Sequence, residues 1–484
     1  MSSLARRTVT SISWSVVANA SMVVILVVRS ILLARLLPVE VFGLYTGASS
    51  IVGLSSMLAG FGFMSAFVHR APETEDEGKA AAVYFTLQLL FTSGWAILVM
   101  IGAWWWATPA FRAPMLVLIL TSGLTQLADI PQAILMRRVV HRRLASLRIV
   151  MALLTTVVSI TLAWGGYGVT ALLATDVVTA LNIFIGLYLW RPVWRPWLSW
   201  QPAIVRYFLG FGSRNLLAYI LEVCLQRFDN LWVVTYQGAT ALGYYSRAYT
   251  FATYPRQILA APVALVTTGA YAEVTNDRQR LSQAFAQTNT LLARGGFLIG
   301  GLLFLVAPEF IRLVLGAKWL PMLMAFRLML LFVLLDPIRD MVASLFIATG
   351  KLRTLTLIRF GQVLVQLTGF FTLGMLWGIT GVATSMGLMA LVGVVALLYT
   401  ARQVVNFSVT ALFLAPTVAL LGGLALARLA ILLPGVLGSD WRTGAVKVVV
   451  FVLTYGLTLL VLERQQILAL FSLLQQQFVK VKHA

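Results

Sequence analysis

The residues of this 484-residue chain best placed to do chemistry are charges inside long apolar runs. Glu222, Arg256, Arg294 and Asp336 fall near the middles of such runs; Arg29, Arg227, Asp229, Arg247 and Arg327 fall nearer one end. A charge in hydrocarbon costs roughly 2.5–3.5 kcal/mol on insertion scales, so a charge kept there is expected to face a cavity or a partner. Arg35, Arg214, Arg339, Asp340 and Arg359 lie closer to run ends and read as interface anchors. Arg256 follows Pro255, where a kink would open the backbone, and Asp336 precedes Pro337 in the same kind of setting. Arg339, one turn after Asp336, is placed to neutralise it. These interior positions hold more Arg than Asp plus Glu. A basic, water-accessible cavity suits an anionic substrate, above all a phosphate, because a guanidinium binds oxyanions in a fork. Arg256 is read as the phosphate contact, with Arg29 and Arg247 adding field. Tyr45, Tyr244, Tyr245, Tyr249 and Tyr254 could stack on sugar rings, and Tyr249 joins the candidate cavity residues.

Other chemistries lack their signatures. His69, His141 and His483 are far apart and offer no metal spacing, so no metal or cofactor is expected. There is no GxxxxGK[ST] loop for ATP and no paired acidic motif at a helix end. No enzyme activity is therefore predicted. A single cysteine, Cys224, excludes disulfides within the chain.

The chain is 60% hydrophobic and 11% charged, with a mean hydropathy of +0.90. A soluble chain of this size needs far more polar surface. Lipid cannot satisfy backbone polar groups, so the apolar runs must be membrane-spanning helices. The reading is an all-α polytopic membrane protein with about fourteen spans: 9–37, 41–68, 80–106, 113–136, 144–164, 169–190, 209–236, 242–270, 283–306, 322–348, 353–376, 379–401, 408–430 and 445–462. Arg6, Arg7 and Ala18-Asn19-Ala20 imitate a signal peptide, but the apolar run continues to Leu37, so an uncleaved first helix is expected. With the N-terminus inside, roughly nineteen Lys and Arg flank the spans on the inner side against four outside, which puts both termini in the cytoplasm. The net charge of +20 thus reports orientation, and no nucleic-acid partner is expected. The acidic loop 72–79 reads as a solvated connection, and the outer loop 307–321 as a segment lying flat on the surface.

Two echoes divide the chain. RSILLARLLPVEVFGLY (29–45) returns as DNLWVVTYQGATALGYY (229–245), which sets Gly43 on Gly243, Tyr45 on Tyr245 and Arg29 on Asp229 at an offset of 200. WGGYGV (164–169) returns as WGITGV (377–382) at an offset of 213. Six spans between equivalent positions make a parallel repeat about an axis along the membrane normal. The predicted domains are an N-terminal lobe, 1–190; an interfacial linker, 191–206, rich in Pro, Trp and Arg; a C-terminal lobe, 207–405; and helices 13 and 14 with the tail, 406–484, outside the repeat and peripheral. The register places Arg29 and Asp229 at one depth on facing helices, where they could form a gate, with Glu222 and Asp336 as further gate or coupling residues.

ARLLPVEVFGLY, FDNLWVV (228–234), ALGYYSRAY (241–249), GAKW (316–319), IATGK (347–351) and WGITGVA (377–383) together resemble the Wzx-type polysaccharide or oligosaccharide flippases of the multidrug/oligosaccharidyl-lipid/polysaccharide exporters. The resemblance extends over roughly residues 5–405. It implies two six-helix lobes around a central cavity lined by helices 1, 2, 7 and 8. It implies movement of an undecaprenyl-pyrophosphate-linked oligosaccharide from the cytoplasmic to the periplasmic leaflet of a bacterial inner membrane, for surface polysaccharide synthesis. The partners would be that lipid-linked oligosaccharide, the bilayer, and polysaccharide polymerase and chain-length machinery. The coupling source stays open between proton, sodium and membrane potential. Two alternatives remain: a multidrug or small-solute antiporter of the same superfamily, and a membrane-embedded polysaccharide polymerase or ligase. The basic interior argues against the first for cationic drugs, and the lack of a large outer loop argues against the second.

Overall fold

The computed structural model describes residues 22–70, 77–138, 141–432 and 439–464. The first turns expected from residue 9, with Arg6 and Arg7, the acidic loop up to residue 76, and the tail with Lys480, Lys482 and His483 lie outside the described residues. Fourteen α-helices cover the described chain. They are α1 (22–36), α2 (Val39–Gly60), α3 (Phe63–His69), α4 (Glu77–Trp106), α5 (Pro109–Arg137), α6 (His141–Trp164), α7 (Val169–Phe184), α8 (Pro202–Glu273), α9 (Arg278–Glu309), α10 (Leu323–Ala348), α11 (Leu352–Gly369), α12 (Met375–Ala401), α13 (Val409–Ala430) and α14 (Asp440–Leu462). Ten described helical stretches are long and apolar enough to cross a bilayer. The protein is a multi-pass membrane protein.

The breaks between helices have local causes. Pro38 (φ −62°, ψ 154°) ends α1 and opens α2, since proline forces its predecessor out of the helix but fits a first turn. The span expected over 41–68 divides into α2 and α3 at Phe61 (φ 40°) and Gly62 (φ 74°). Gly212 of α8 permits this, because a Cβ there would lie 2.4 Å from the Phe61 carbonyl oxygen. The two spans expected around 236–242 meet without a loop at the break at Gly238 (φ 86°, ψ 175°), which separates arms 202–237 and 239–273 of α8; the first arm is itself bent by 54° between Arg214 and Tyr219. The segment 190–201 is non-helical, bent over 190–194 with Arg191 at φ 53°, and α8 starts at Pro202, earlier than the expected linker end. Three helices finish in a π turn: α7 in Ile185–Leu189, α9 in Phe310–Leu315 and α11 in Phe370–Gly374.

Gly168 (φ 51°, ψ −123°) and Gly378 (φ 59°, ψ −139°) share an unusual conformation at the second echo. Their spacing is three residues shorter than the sequence match, so the local register differs from the one read from WGGYGV and WGITGV.

The backbone gathers into two compact units. One comprises the described residues up to Ala248 with Arg359–Ser385; the other comprises Tyr249–Ile358 with the described residues from Met386. This grouping by packing differs from the lobes 1–190 and 207–405, which remain a proposal about ancestry.

The core of the first unit is aromatic: Phe63 packs edge-on against Tyr84, Phe91 and Phe208, with Phe67, Leu87 and Ile134 around them. Trp104, Trp105, Trp106 and Trp164 are exposed at one set of helix ends and Trp190, Trp197 and Trp200 at the other, as expected of headgroup belts. The second unit has one core from Tyr271, Phe285, Val342, Phe346 and Leu397, and another from Phe297, Ala419, Phe451 and Tyr455.

The second core joins α13 and α14 to α9, with Phe451 lying against Gly301 and Gly423. Two buried ion pairs reinforce it. Lys447 donates to Glu309 at 2.6 Å, and Arg294 pairs with Glu463. Helices 13 and 14 thus pack on each other and on α9 within this unit. The outer segment 307–321 does not lie flat either. Ile311, Leu315 and Trp319 are fully buried, so it folds into the unit as a π turn followed by a 3-10 turn.

Candidate functional site

In the first unit, α2 and the second arm of α8 meet at their N-terminal ends, directly after the breaks at Pro38 and Gly238. These two breaks are themselves 200 residues apart, the register of the first echo. A Cβ on Gly43 would lie 1.7 Å from the Ala239 carbonyl oxygen, and a Cβ on Gly243 would lie 2.2 Å from that of Val39. The contact is reciprocal: each glycine faces the residue four positions before the other. Equivalent residues thus exchange partners across a local two-fold axis, and only glycine lets the backbones approach so closely. Gly47, one turn on, accommodates Phe111 and Val234.

Polar groups surround this crossing. Tyr45 donates to Asp176 Oδ2 at 2.9 Å. Tyr245, 200 residues on, donates to Asp229 Oδ2 at 2.8 Å. Asp229 is 1% exposed, and its Oδ1 accepts no hydrogen bond from a described residue. Arg247 stacks its guanidinium 4.5 Å from the centre of the Phe42 ring and reaches Ser30 Oγ at 3.4 Å. Arg227 lies against Gly53 and donates to the Ser49 carbonyl at 3.3 Å. Arg29 on α1 is half-buried and close enough to act electrostatically on Asp176 and Tyr45. Of the expected gate pair, Asp229 is therefore held by Tyr245 across the Gly238 break. Glu222, further along the first arm of α8, faces Arg359 at 3.3 Å.

The second unit holds a four-charge network. Arg256 donates through Nε and Nη2 to Asp340 Oδ2, at 3.0 and 2.6 Å, and through Nη1 to Asp336 Oδ2 at 3.2 Å. Arg339 lies 3.1 Å from Asp336 and 3.6 Å from Asp340. Asp336 is 7% exposed, and the network is formally neutral. Tyr249, two turns before Arg256, is within reach of its charge. Asp336 and Arg339 come together as their spacing suggested. Asp340, read as an interface anchor, is instead the main partner of Arg256; the i, i+4 relation to Asp336 places both carboxylates on one face of α10 and was the available signal. Arg294 finds Glu463, and Arg327 stacks over Phe304 at 5.4 Å. Among the described residues no cluster of His, Cys, Asp and Glu could hold a metal ion.

Helical throughout its described spans, multi-pass, and with broken helices meeting at a reciprocal glycine contact, the chain has a transporter-type membrane fold. It superposes on the lipid II flippase MurJ in its inward closed conformation with a TM-score of 0.77, at 14% identity, covering 93% of this chain and 99% of that one. It also matches an inward-facing multidrug resistance MATE family transporter of the MOP superfamily at a TM-score of 0.61, with 16% identity and 80% and 94% coverage. At these identities the likeness shows the fold. The chain belongs to the polysaccharide biosynthesis protein family, whose model matches residues 32–324. It is 29% identical to the succinoglycan biosynthesis transport protein ExoT of Rhizobium meliloti (strain 1021), over 65% of this chain and 64% of that protein. It is 23% identical to the lipopolysaccharide biosynthesis protein WzxC of Escherichia coli (strain K12), over 72% and 71%. The matched region thus spans just under two thirds of ExoT.

Proposed function

We propose that this protein is a flippase that moves an undecaprenyl-pyrophosphate-linked oligosaccharide from the inner to the outer leaflet of a bacterial inner membrane by alternating access. The single observation that carries this reading is the reciprocal Gly43–Gly243 crossing. It closes one end of the helices that the repeat relates, using backbone contact that a small helix movement can break. With both termini cytoplasmic, as the loop charges suggest, that end is periplasmic. Family membership and the names of the two relatives support a polysaccharide precursor as cargo.

Arg29, Arg227 and Arg247 around the crossing supply positive field for the anionic headgroup. Arg256 contributes when the pyrophosphate displaces Asp336 and Asp340 from its fork, so cargo and carboxylates compete for one guanidinium. Tyr249 and Tyr45 contact sugar hydroxyls. Arg29 and Asp229 act as a polar latch: Tyr245 occupies one oxygen of Asp229, which leaves Oδ1 as the acceptor for Arg29 in the tightened state. Glu222, Asp229 and Asp336 are the candidates for coupling to proton, sodium or membrane potential.

A strain lacking this protein should accumulate lipid-linked repeat units on the cytoplasmic face and stop exporting polysaccharide. Re-expression should reverse both. Normal export and no accumulation in the deletion strain would refute the assignment.

A further inference from the structure

One arginine in a membrane-spanning helix of the first unit has no partner among the described residues. Arg148 of α6 makes no hydrogen bond or ion pair with any described residue. Trp164, exposed at the far end of α6, lies about 24 Å away at the helical rise. The hydrocarbon layer is about 30 Å thick, so with Trp164 at one interface Arg148 sits just inside the other. A guanidinium at that depth needs an oxyanion or water, and no described residue supplies an oxyanion.

Arg148 lines a cavity of about 100 Å³ between α5, α6 and α7. Gln132 is its other polar wall, and Leu144, Leu147, Met151, Ile183 and Leu187 form the rest. That volume would hold several waters or one phosphate group. Close contacts bound the cavity. The π turn after α7 brings Gly186 so close to α6 that a Cβ would lie 2.4 Å from Leu147 Cδ2. Arg143 donates to the carbonyls of Gly186 and Trp190 at 2.7 and 2.5 Å, and Asn182 donates to that of Leu147 at 3.1 Å. Arg143 is therefore spent on backbone, and Arg148, five residues on, is left for a ligand. Asp129 takes the Gln132 amide at 3.3 Å and forms no ion pair with Arg148. π turns recur at functional sites, and basic notches between helices at the headgroup level suit acidic lipids.

We propose that this notch binds the headgroup phosphate of an anionic phospholipid of the phosphatidylglycerol type. One guanidinium fork matches one phosphodiester, while the apolar wall takes the first carbons of the lipid. A diphosphate would need a second cation, which Arg143 does not provide. A choline headgroup would bring a positive charge toward Arg148. The lipid completes the α5–α6–α7 packing and does not depend on the cargo.

The test is native mass spectrometry of the full-length protein in detergent with equal phosphatidylglycerol, phosphatidylcholine and undecaprenyl phosphate. Wild type should retain phosphatidylglycerol preferentially. Arg148→Gln should lose that retention roughly tenfold, as for one hydrogen bond to a charged group, and Arg148→Lys should lose less. Met151→Trp, which fills the cavity and keeps the charge, should also expel the lipid. Arg214→Gln, removing an exposed arginine that caps the Gly210 carbonyl, should change nothing. Equal retention by the Arg148→Gln and wild-type proteins, or no preference over phosphatidylcholine, overturns the proposal. Preference for undecaprenyl phosphate overturns it too, and makes the notch a carrier-lipid site.

Discussion

Arg256 serves two carboxylates at once, and this sets what its removal should do. In the Arg256→Ala protein Asp336 and Asp340 would face each other with only Arg339 between them, so both abundance and export should fall. Arg256→Ala combined with Asp340→Asn should restore abundance, because the charge count balances again, while export stays lost. Immunoblotting against export of labelled polysaccharide separates the two effects. Export by the double variant at the wild-type level would make Arg256 a purely structural residue. Arg256→Lys should keep part of the activity, having charge without the fork. For the latch, Arg29→Asp and Asp229→Arg should each impair export and the double swap should recover part of it; no recovery would leave Asp229 to Tyr245 alone. The sequence made the charges legible but not their partners. Spacing on one helix exposed the pairing of Asp336 with Arg339, and the same rule reaches Asp340. Tyr245 lies on the other side of the Gly238 break from Asp229, and Glu463 lies far down the chain from Arg294. No local period links such pairs.

The helix crossing is the element most sensitive to volume. Adding a side chain at a backbone contact costs about 1–3 kcal/mol, so Gly43→Leu and Gly243→Leu should each shift the closed state by about tenfold or more toward opening. In a Cys224→Ser background, a cysteine at the buried Ser246 should then react with a membrane-impermeant maleimide added outside, and export should drop. Gly60→Leu, at a glycine with open space beside it, should do neither. A Ser246→Cys probe that stays protected in both crossing variants would remove the crossing from the gate. The α9–α14 pair tests a different kind of contact. Glu309→Leu leaves Lys447 buried without a counterion and should cost on the order of 3–5 kcal/mol, whereas Glu309→Leu with Lys447→Met should be as stable as wild type or more so. Thermal midpoints in detergent measure both. Hydropathy alone revealed nearly every helix, and Pro38, Gly238 and Gly378 fall where the spans were divided. The break at Phe61–Gly62 and the burial of 307–321 escaped it, because each depends on a neighbour distant in sequence: Gly212 in the first case, the surrounding core of the second unit in the other.

At the scale of the whole molecule, orientation is the first thing to measure. Reporter fusions at residue 141, where α6 begins, and at residue 313, in the π turn after α9, should report opposite faces of the membrane, with residue 141 inside. The same face for both would undo the topology on which the periplasmic closure rests. The crossing carries a consequence for history. A contact in which Gly43 meets Ala239 while Gly243 meets Val39 is isologous, the arrangement two identical subunits make about a two-fold axis. If the proposed repeat is a duplication, its half-length ancestor would have been a homodimer of two copies inserted in the same direction, joined through a single glycine used twice. On that proposal the two copies would have diverged after fusion at polar positions: one half carries Arg29 where the other carries Asp229, and Gly47 where the other carries Arg247. Both glycines would then be kept for one reason: each lies against the backbone of the opposite helix, Gly43 on Ala239 and Gly243 on Val39.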